Sequence, residues 1–371
     1  MNSKLTLFCQ LRAVAATLSL AVAALSGSHV AAQTQLTPYQ PGLNQEGAVY
    51  FLPKTAIRVT LQIEKTTYTP GDFASYAQRY LRLNNVSTRP SVTYKVSAIS
   101  QTPIGVADTT KCYAVKFDPK TVAANLSLTD DGVLTGINIP PSQPTGRQPF
   151  TPAPRKPKAN PRTFLSEEIL AAGSTAKMAE LTAQEVYDIR ESKSLLIKGQ
   201  ADFMPKDGEQ LRLMLAQLTT QDEALTSLFS GITVRDTVEQ DIVVCPDRGL
   251  DRQPLFRFSR WQGLVDSDDL SGVPYYISID NLNTVPPIDK EAEAKNKKRK
   301  QEAGIYVNVP SKMRSTIYQG NDVVSTMECT APQFGHTELL SGDLFNKRYT
   351  THLWLNPISG AVERLEAELP K

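Results

Sequence analysis

Apolar residues recur at helical spacing over one long stretch of the chain, residues 182–231, and at strand spacing over most of the rest. In the second half of that stretch Leu211, Met214, Leu215, Leu218, Leu225, Leu228 and Phe229 fall at i, i+3, i+4, i+7, i+14, i+17 and i+18, one stripe of a helix. Asp207 and Gln210 form a capping box at its start, and Gly231 supplies a left-handed stop. The first half repeats the grammar: Thr182 and Glu185 as the box, Val186, Ile189, Leu195 and Leu196 as the stripe, Lys198 and Gly199 at the end. The connection, residues 200–206, is short and contains Pro205, so the spacing predicts an antiparallel helical hairpin. Its polar face mixes Glu209, Arg212, Asp222 and Glu223, without the Lys and Arg excess of a membrane-surface helix. The stripe is therefore expected to pack against the protein's own sheet.

Period-two patterning begins at residues 48–64, where Ile57, Val59, Leu61 and Ile63 alternate with Arg58, Thr60, Gln62 and Glu64. Pro70-Gly71-Asp72 breaks the strand, with Asp72 as the expected cap of a short helix through Phe73, Tyr76, Ala77, Tyr80 and Leu81. Strands are expected at 92–99 and 112–117. A hairpin is expected where Asp130-Asp131-Gly132 separates residues 125–129 from 133–137. Residues 139–162 carry eight prolines with Lys and Arg between them, the composition of an extended linker or surface excursion. Beyond the helices, strands are predicted at 232–244, 255–259, 274–279, 305–309, 314–319, 323–329, 350–355 and 361–369. Residues 47–58 and 304–314 resemble each other, each placing an aromatic strand, a proline and an Arg-bearing strand in that order, with a one-residue slip.

These elements predict a mainly β, α+β fold, with β-sandwich-like regions and an inserted antiparallel helical hairpin. The expected divisions are a signal peptide (1–32), an N-terminal β region (33–138), a Pro-rich linker (139–163), the hairpin (164–231) and a C-terminal β region (232–371).

The start of the chain sets the compartment. Lys4 and Arg12 precede an apolar run over residues 13–25, and Val30-Ala31-Ala32 closes it, the pattern of a secretory signal peptide cut before Gln33. Cys9 lies ahead of the apolar run, where a lipoprotein cysteine would not be. No later segment is long and apolar enough to span a membrane. The expectation is an exported, periplasmic protein. A formal net charge of +2 with 21% charged residues argues against a nucleic-acid partner. Cys112, Cys245 and Cys329 remain after cleavage, enough for one disulfide with a thiol left over.

Four segments carry a family resemblance: Ala48-Val-Tyr-Phe-Leu-Pro-Lys-Thr-Ala, Lys65-Thr-Thr-Tyr-Thr-Pro-Gly-Asp-Phe, Val115-Lys-Phe-Asp-Pro-Lys and Leu128-Thr-Asp-Asp-Gly-Val-Leu. They are similar to an uncharacterised family of exported Bacteroidota proteins, domain-of-unknown-function family 4831. The resemblance spans nearly all of the chain after residue 32. It implies a Gram-negative envelope protein and brings no reaction, cofactor or catalytic residue with it.

The chemistry-bearing residues are sparse. His336 and His352 stand far apart, and the sequence contains no His-Glu-x-x-His, Gly-x-Ser-x-Gly, phosphate loop or dinucleotide fingerprint. No cofactor is expected. Asp266, Asp268 and Asp269 are the best candidates for a hard cation, although Leu270 stands where an EF-hand would place a third oxygen ligand. Trp261, Tyr275 and Tyr276 lie nearby and are the aromatic candidates for a sugar or peptide surface, against the alternative that they pack in a core. Asp108-Thr109-Thr110 and Asp236-Thr237-Val238 resemble the short acceptor pattern of Bacteroidota O-glycosylation, which nominates Thr109 and Thr237. The sequence reading is a non-enzymatic envelope protein that binds a partner protein or supports an assembly. A soluble glycan- or peptide-binding module is the alternative, and a hydrolase ranks third.

Overall fold

The computed structural model describes residues 35–38, 48–116, 125–140, 150–152, 154, 158–205, 207–286, 304–341, 344 and 350–369. The expected signal peptide (1–32), most of the Pro-rich stretch and the charge-dense residues 289–301 lie outside the described residues. In chain order the elements are β1 (Gln35–Pro38), β2 (Ala48–Thr69), a 3-10 turn (Ala74–Tyr76) running into α1 (Ala77–Leu81), β3 (Ser91–Lys116), β4 (Leu126–Leu128) and β5 (Leu134–Ile137). A second 3-10 turn (Pro161–Phe164) leads to α2 (Glu167–Leu170), α3 (Thr175–Lys198) and α4 (Gly208–Ser230). Then follow β6 (Ile232–Val244), β7 (Leu250–Ser259), β8 (Gly263–Val265), β9 (Val273–Asn281), β10 (Gly304–Gln319), β11 (Asp322–Ser341), β12 (Thr350–Leu355) and β13 (Val362–Glu368).

The strands form three sheets of order β1-β3-β2-β6, β11-β10-β9-β7-β8 and β13-β12-β5-β4, with antiparallel neighbours throughout. The fold is mainly β with a few helices, as the patterning predicted. The N-terminal and C-terminal β regions are interleaved: β2 pairs with β6 over the whole length of β6, and β5 pairs with β12.

Two apolar cores lie in tandem along the long strands. In the larger, Ile57, Val59, Leu61 and Ile63 of β2 meet Phe256, Ile277, Ile279, Met313 and Ile317 of the second sheet. In the smaller, Tyr50, Leu52 and Val115 meet Ile305 and Val307 of β10 and Leu134, Ile137, Leu353 and Leu355 of the third sheet. Strands β2 and β10 thus run from one core into the other, and each changes register at the crossing. Pro53 pairs with Ala107 and Phe51 with Cys112, so residues 108–111 bulge out opposite Leu52. Val309 pairs with His336 and Ser311 with Ala331, so residues 332–335 bulge out opposite Pro310. A strand bends where its ladder is interrupted, and a proline sits at such a point without wasting a donor. The two similar sequence segments therefore both lie at bulged ribbons, with the bulge opposite the residue before the proline in β2 and opposite the proline itself in β10.

A third core is helical, where Phe73, Ala77 and Leu81 meet Ala179, Ala183, Val186 and Ile189 of α3 and Leu225, Leu228 and Phe229 of α4. Asp207 caps α4 by accepting from Gln210 N (2.7 Å), and Gly199 ends α3 at φ 69°, both as the sequence dictates. Other local expectations are corrected. Helix α3 starts at Ser174, whose hydroxyl accepts from Lys177 N, and Thr182 lies fully buried inside it. Thr182 Oγ1 donates to Met178 O (2.8 Å), so its hydroxyl is satisfied within the helix and marks no start. Asp72 caps nothing; it accepts from the Arg162 guanidinium instead. The separate strands expected at 92–99 and 112–117 are one long strand, β3, and those at 305–309 and 314–319 are one strand, β10. Period-two patterning fades at a bulge while the pairing continues beyond it.

Candidate functional site

Where the two β cores meet, the interior is polar. Asn308, 2% exposed, donates from Nδ2 to the carbonyls of Pro53 (2.9 Å) and Ser359 (3.1 Å), and its backbone N–H reaches Gly360 O. Thr55 is fully buried and donates to Thr330 O, while the Gln333 amide clamps both the N–H and the carbonyl of Thr55. Gln333 comes from the bulge in β11 and Asp108 from the bulge in β3, so both bulges feed this waist. Asp108 is almost buried and accepts from the N–H and hydroxyl of Thr110. Partial burial pushes the Lys111 ammonium below its ordinary pKa against the pull of Asp108, and Lys111 reaches Asn308 Oδ1 at 3.5 Å. Partial burial also pulls on Lys54, but the hydrogen bond and charge of Asp247 outweigh it and raise the pKa. The donors and acceptors at the centre of the waist are committed to backbone groups of five chain segments, which suits a structural clasp.

The second concentration of unusual side chains is at the far end of the helical hairpin. The inner half of the α4 stripe, Leu225, Leu228 and Phe229, is buried at 0–4% exposure, whereas Leu211, Met214 and Leu215 of the outer half are only half-buried. Around them Ile197 (69% exposed), Phe203 (71%), Met204 (37%) and Leu213 (57%) lie in the last turn of α3, the connection and the first turns of α4. The hairpin thus packs with its base and projects with an apolar tip. Water contact at four large side chains leaves a part, about a third to two thirds, of the roughly 1.5–3 kcal/mol that full burial of each would contribute unrealised until something covers them. The sequence reading missed these residues because it followed the stripe. Leu213 falls off that stripe, and Phe203-Met204 is an apolar pair in a connection that polar residues would normally fill, so the signal was legible.

The residues nominated from sequence are not gathered in one place. Tyr275 is buried in the larger core and stacks on Phe256 with ring centroids 4.5 Å apart. Its neighbour Tyr276 points to the opposite face of β9, where the Arg252 guanidinium lies over it and over Tyr318. Trp261, 63% exposed, sits on the turn between β7 and β8 under Arg260. Core packing claims Tyr275, and the three rings share no common surface. Asp266, Asp268 and Asp269 occupy an exposed turn in which Asp269 accepts from the N–H of Ser271 and Asp268 from Ser267. Among the described residues no group of three or more His, Cys, Asp or Glu is placed to hold a metal, and the hydrogen bonds these aspartates make are those of a turn. Hydrogen bonds from Ser271 hold the Asp269 carboxyl below its usual pKa.

Thr109 is exposed in the β3 bulge, and Thr237 is half-buried on β6. His336 pairs with Glu338 and His352 with Asn138 O, on separate strands. No disulfide joins Cys112, Cys245 and Cys329. Under the 3-10 turn and α1 an open groove is lined by Ser75, Gln78, Asn84, Asn85 and Thr88.

The model of the domain of unknown function DUF4831 matches residues 46–363. The chain belongs to this family. The match runs from the start of β2 into β13, so the bulged ribbons, the waist and the helical hairpin all fall inside it. No curated protein and no solved structure matches the chain. Among the described residues no helix is long and apolar enough to cross a membrane.

Proposed function

We propose that this member of DUF4831 is an exported envelope protein of Gram-negative Bacteroidota that binds a partner protein through the tip of its helical hairpin and performs no reaction of its own. The observation that carries this reading is the exposure of Ile197, Phe203, Met204 and Leu213 at the end of an otherwise packed hairpin. Exposed apolar patches of this kind are where protein interfaces form, and a projecting helical pair offers a rigid anchor. The mixed charge of the tip, with Glu209 paired to Arg212, suits a protein surface better than an anionic lipid face. The leader-like residues 1–32 support export.

A photo-crosslinking amino acid at Phe203 or Leu213, introduced into the tagged protein in its own host, tests the reading. A reproducible adduct with one protein, missing when the probe is moved to Glu180 near the base of the hairpin, is the expected result. Recovery of the bare protein, where known envelope complexes are captured, refutes it. So does turnover of glycans, peptides or esters by the purified mature protein.

A further inference from the structure

The edges of the sheets are treated unequally. Strands β1, β4 and β8 are four residues or fewer, too short to template another chain. The long outer edge of β3 carries Pro103 and the bulge at residues 108–111, and that of β11 carries Pro332 and the bulge at 332–335. β13 carries four charged residues, Glu363, Arg364, Glu366 and Glu368, among its seven. These are the usual protections of an open edge. β6 has none of the backbone ones: it is 13 residues long, has no proline, and pairs with β2 without a register shift. Its far side meets no other strand among the described residues.

The sequence of this edge is complementary to itself. Reversed about Val238, the strand places Ile232 opposite Val244, Thr233 opposite Val243, Val234 opposite Ile242, Arg235 opposite Asp241 and Thr237 opposite Glu239. Directly opposed residues of an antiparallel pair share a face, so Ile232 and Val234 meet apolar partners, Val243 meets Thr233, Asp236 meets Gln240, and each Arg235 meets an Asp241. Shifting the centre to Asp236 or Glu239 sets like charges face to face, and shifting it to Thr237 sets Asp236 against Val238 and Val234 against Gln240. The neighbouring strand extends the match. Arg58 lies beside Asp241 (3.9 Å), and Arg235 beside Glu64 (3.7 Å). Across a two-fold axis the row would read Arg58, Asp241, Arg235 of the second copy and Glu64 of the second copy, alternating in sign. Val238 would meet its own mate, and it is now 50% exposed on the same face as the core-packed Ile242 and Val244.

We propose that the occupant of this edge is a second copy of the chain, paired antiparallel through β6 about Val238, which joins two four-stranded sheets into one continuous sheet. The interface is isologous and closes as a dimer. It uses neither the hairpin tip nor the waist, so it stands apart from the partner-binding reading.

The test uses the full mature protein. Sedimentation should give twice the monomer mass for the unaltered chain. Val238→Lys sets two ammonium groups together at the axis and should return the monomer mass, while its circular dichroism melt reports an intact fold. Val238→Cys under mild oxidation should give a reducible linked dimer whose joined peptides both contain residue 238, since opposed Cα atoms in such a pair fall within disulfide reach. A monomeric native protein, a dimer that Val238→Lys leaves intact, or a Val238→Cys protein that does not link at that residue each overturns the proposal.

Discussion

Asn308→Ala is the sharpest test of the polar waist. The substitution removes the Nδ2 donor that serves the carbonyls of Pro53 and Ser359 at 2.9 and 3.1 Å, in a position 2% exposed. A buried carbonyl left without a partner costs about 1–3 kcal/mol, so the two together cost about 2–6 kcal/mol. The Oδ1 contacts to Lys111 and Thr337 are both long, at 3.5 Å, and add little. At roughly 2–4 °C per kcal/mol for a domain of 150–250 residues, the melting temperature should drop by at least several degrees. Urea unfolding followed by far-UV circular dichroism gives the free energy directly, and Thr337→Val, which deletes only a long contact, should stay within about 1 kcal/mol of the parent. A loss below about 1 kcal/mol for Asn308→Ala would refute the reasoning, because it would mean that the two carbonyls find other donors and that Asn308 is no clasp.

Alkaline pH should destabilise the fold. Burial holds the Tyr50 phenol well above its ordinary pKa of 10.0, so above that value the folded state keeps a proton the unfolded chain has released. By linkage stability then falls by about 1.4 kcal/mol per pH unit from this group alone. Tyr113, Tyr275 and Cys329 are shifted in the same sense, and among the described residues only Lys111 opposes them, just below 10.5. The urea midpoint should therefore decline above about pH 10, with a shallower slope in Tyr50→Phe; a flat or rising midpoint contradicts the burial argument. The three thiols should separate in rate. Burial pushes Cys329 up to about 11 and also raises Cys112, leaving little thiolate at neutral pH, so exposed Cys245 should be labelled first by a maleimide, and equal rates would count against the assignment. Phe203→Ser combined with Leu213→Ser should leave the melting temperature within a few degrees while abolishing the crosslinked adduct, because both side chains are exposed; a fully unfolded double variant would show that the tip is part of the core.

The sequence by itself determined what is local. The caps Asp207 and Gly199, the Asp130-Asp131-Gly132 hairpin and the alternation of Ile57, Val59, Leu61 and Ile63 all act through neighbours within a few residues, and all were legible. Tertiary structure decided what depends on partners hundreds of residues away. The register jumps opposite Leu52 and Pro310 fuse strands whose sequence patterning breaks, and they bring Gln333 to Thr55 across 278 positions. Periodicity showed that Leu211 to Phe229 form one stripe, but only the placement of the helical core showed that its inner half is covered and its tip is not. Likewise the adjacency of Trp261, Tyr275 and Tyr276 in sequence suggested a shared surface, and the strand pleat sent Tyr275 and Tyr276 to opposite faces. The physical reason is common to all of these: turns and caps are satisfied by the chain next door, whereas burial is a property of what the fold brings alongside.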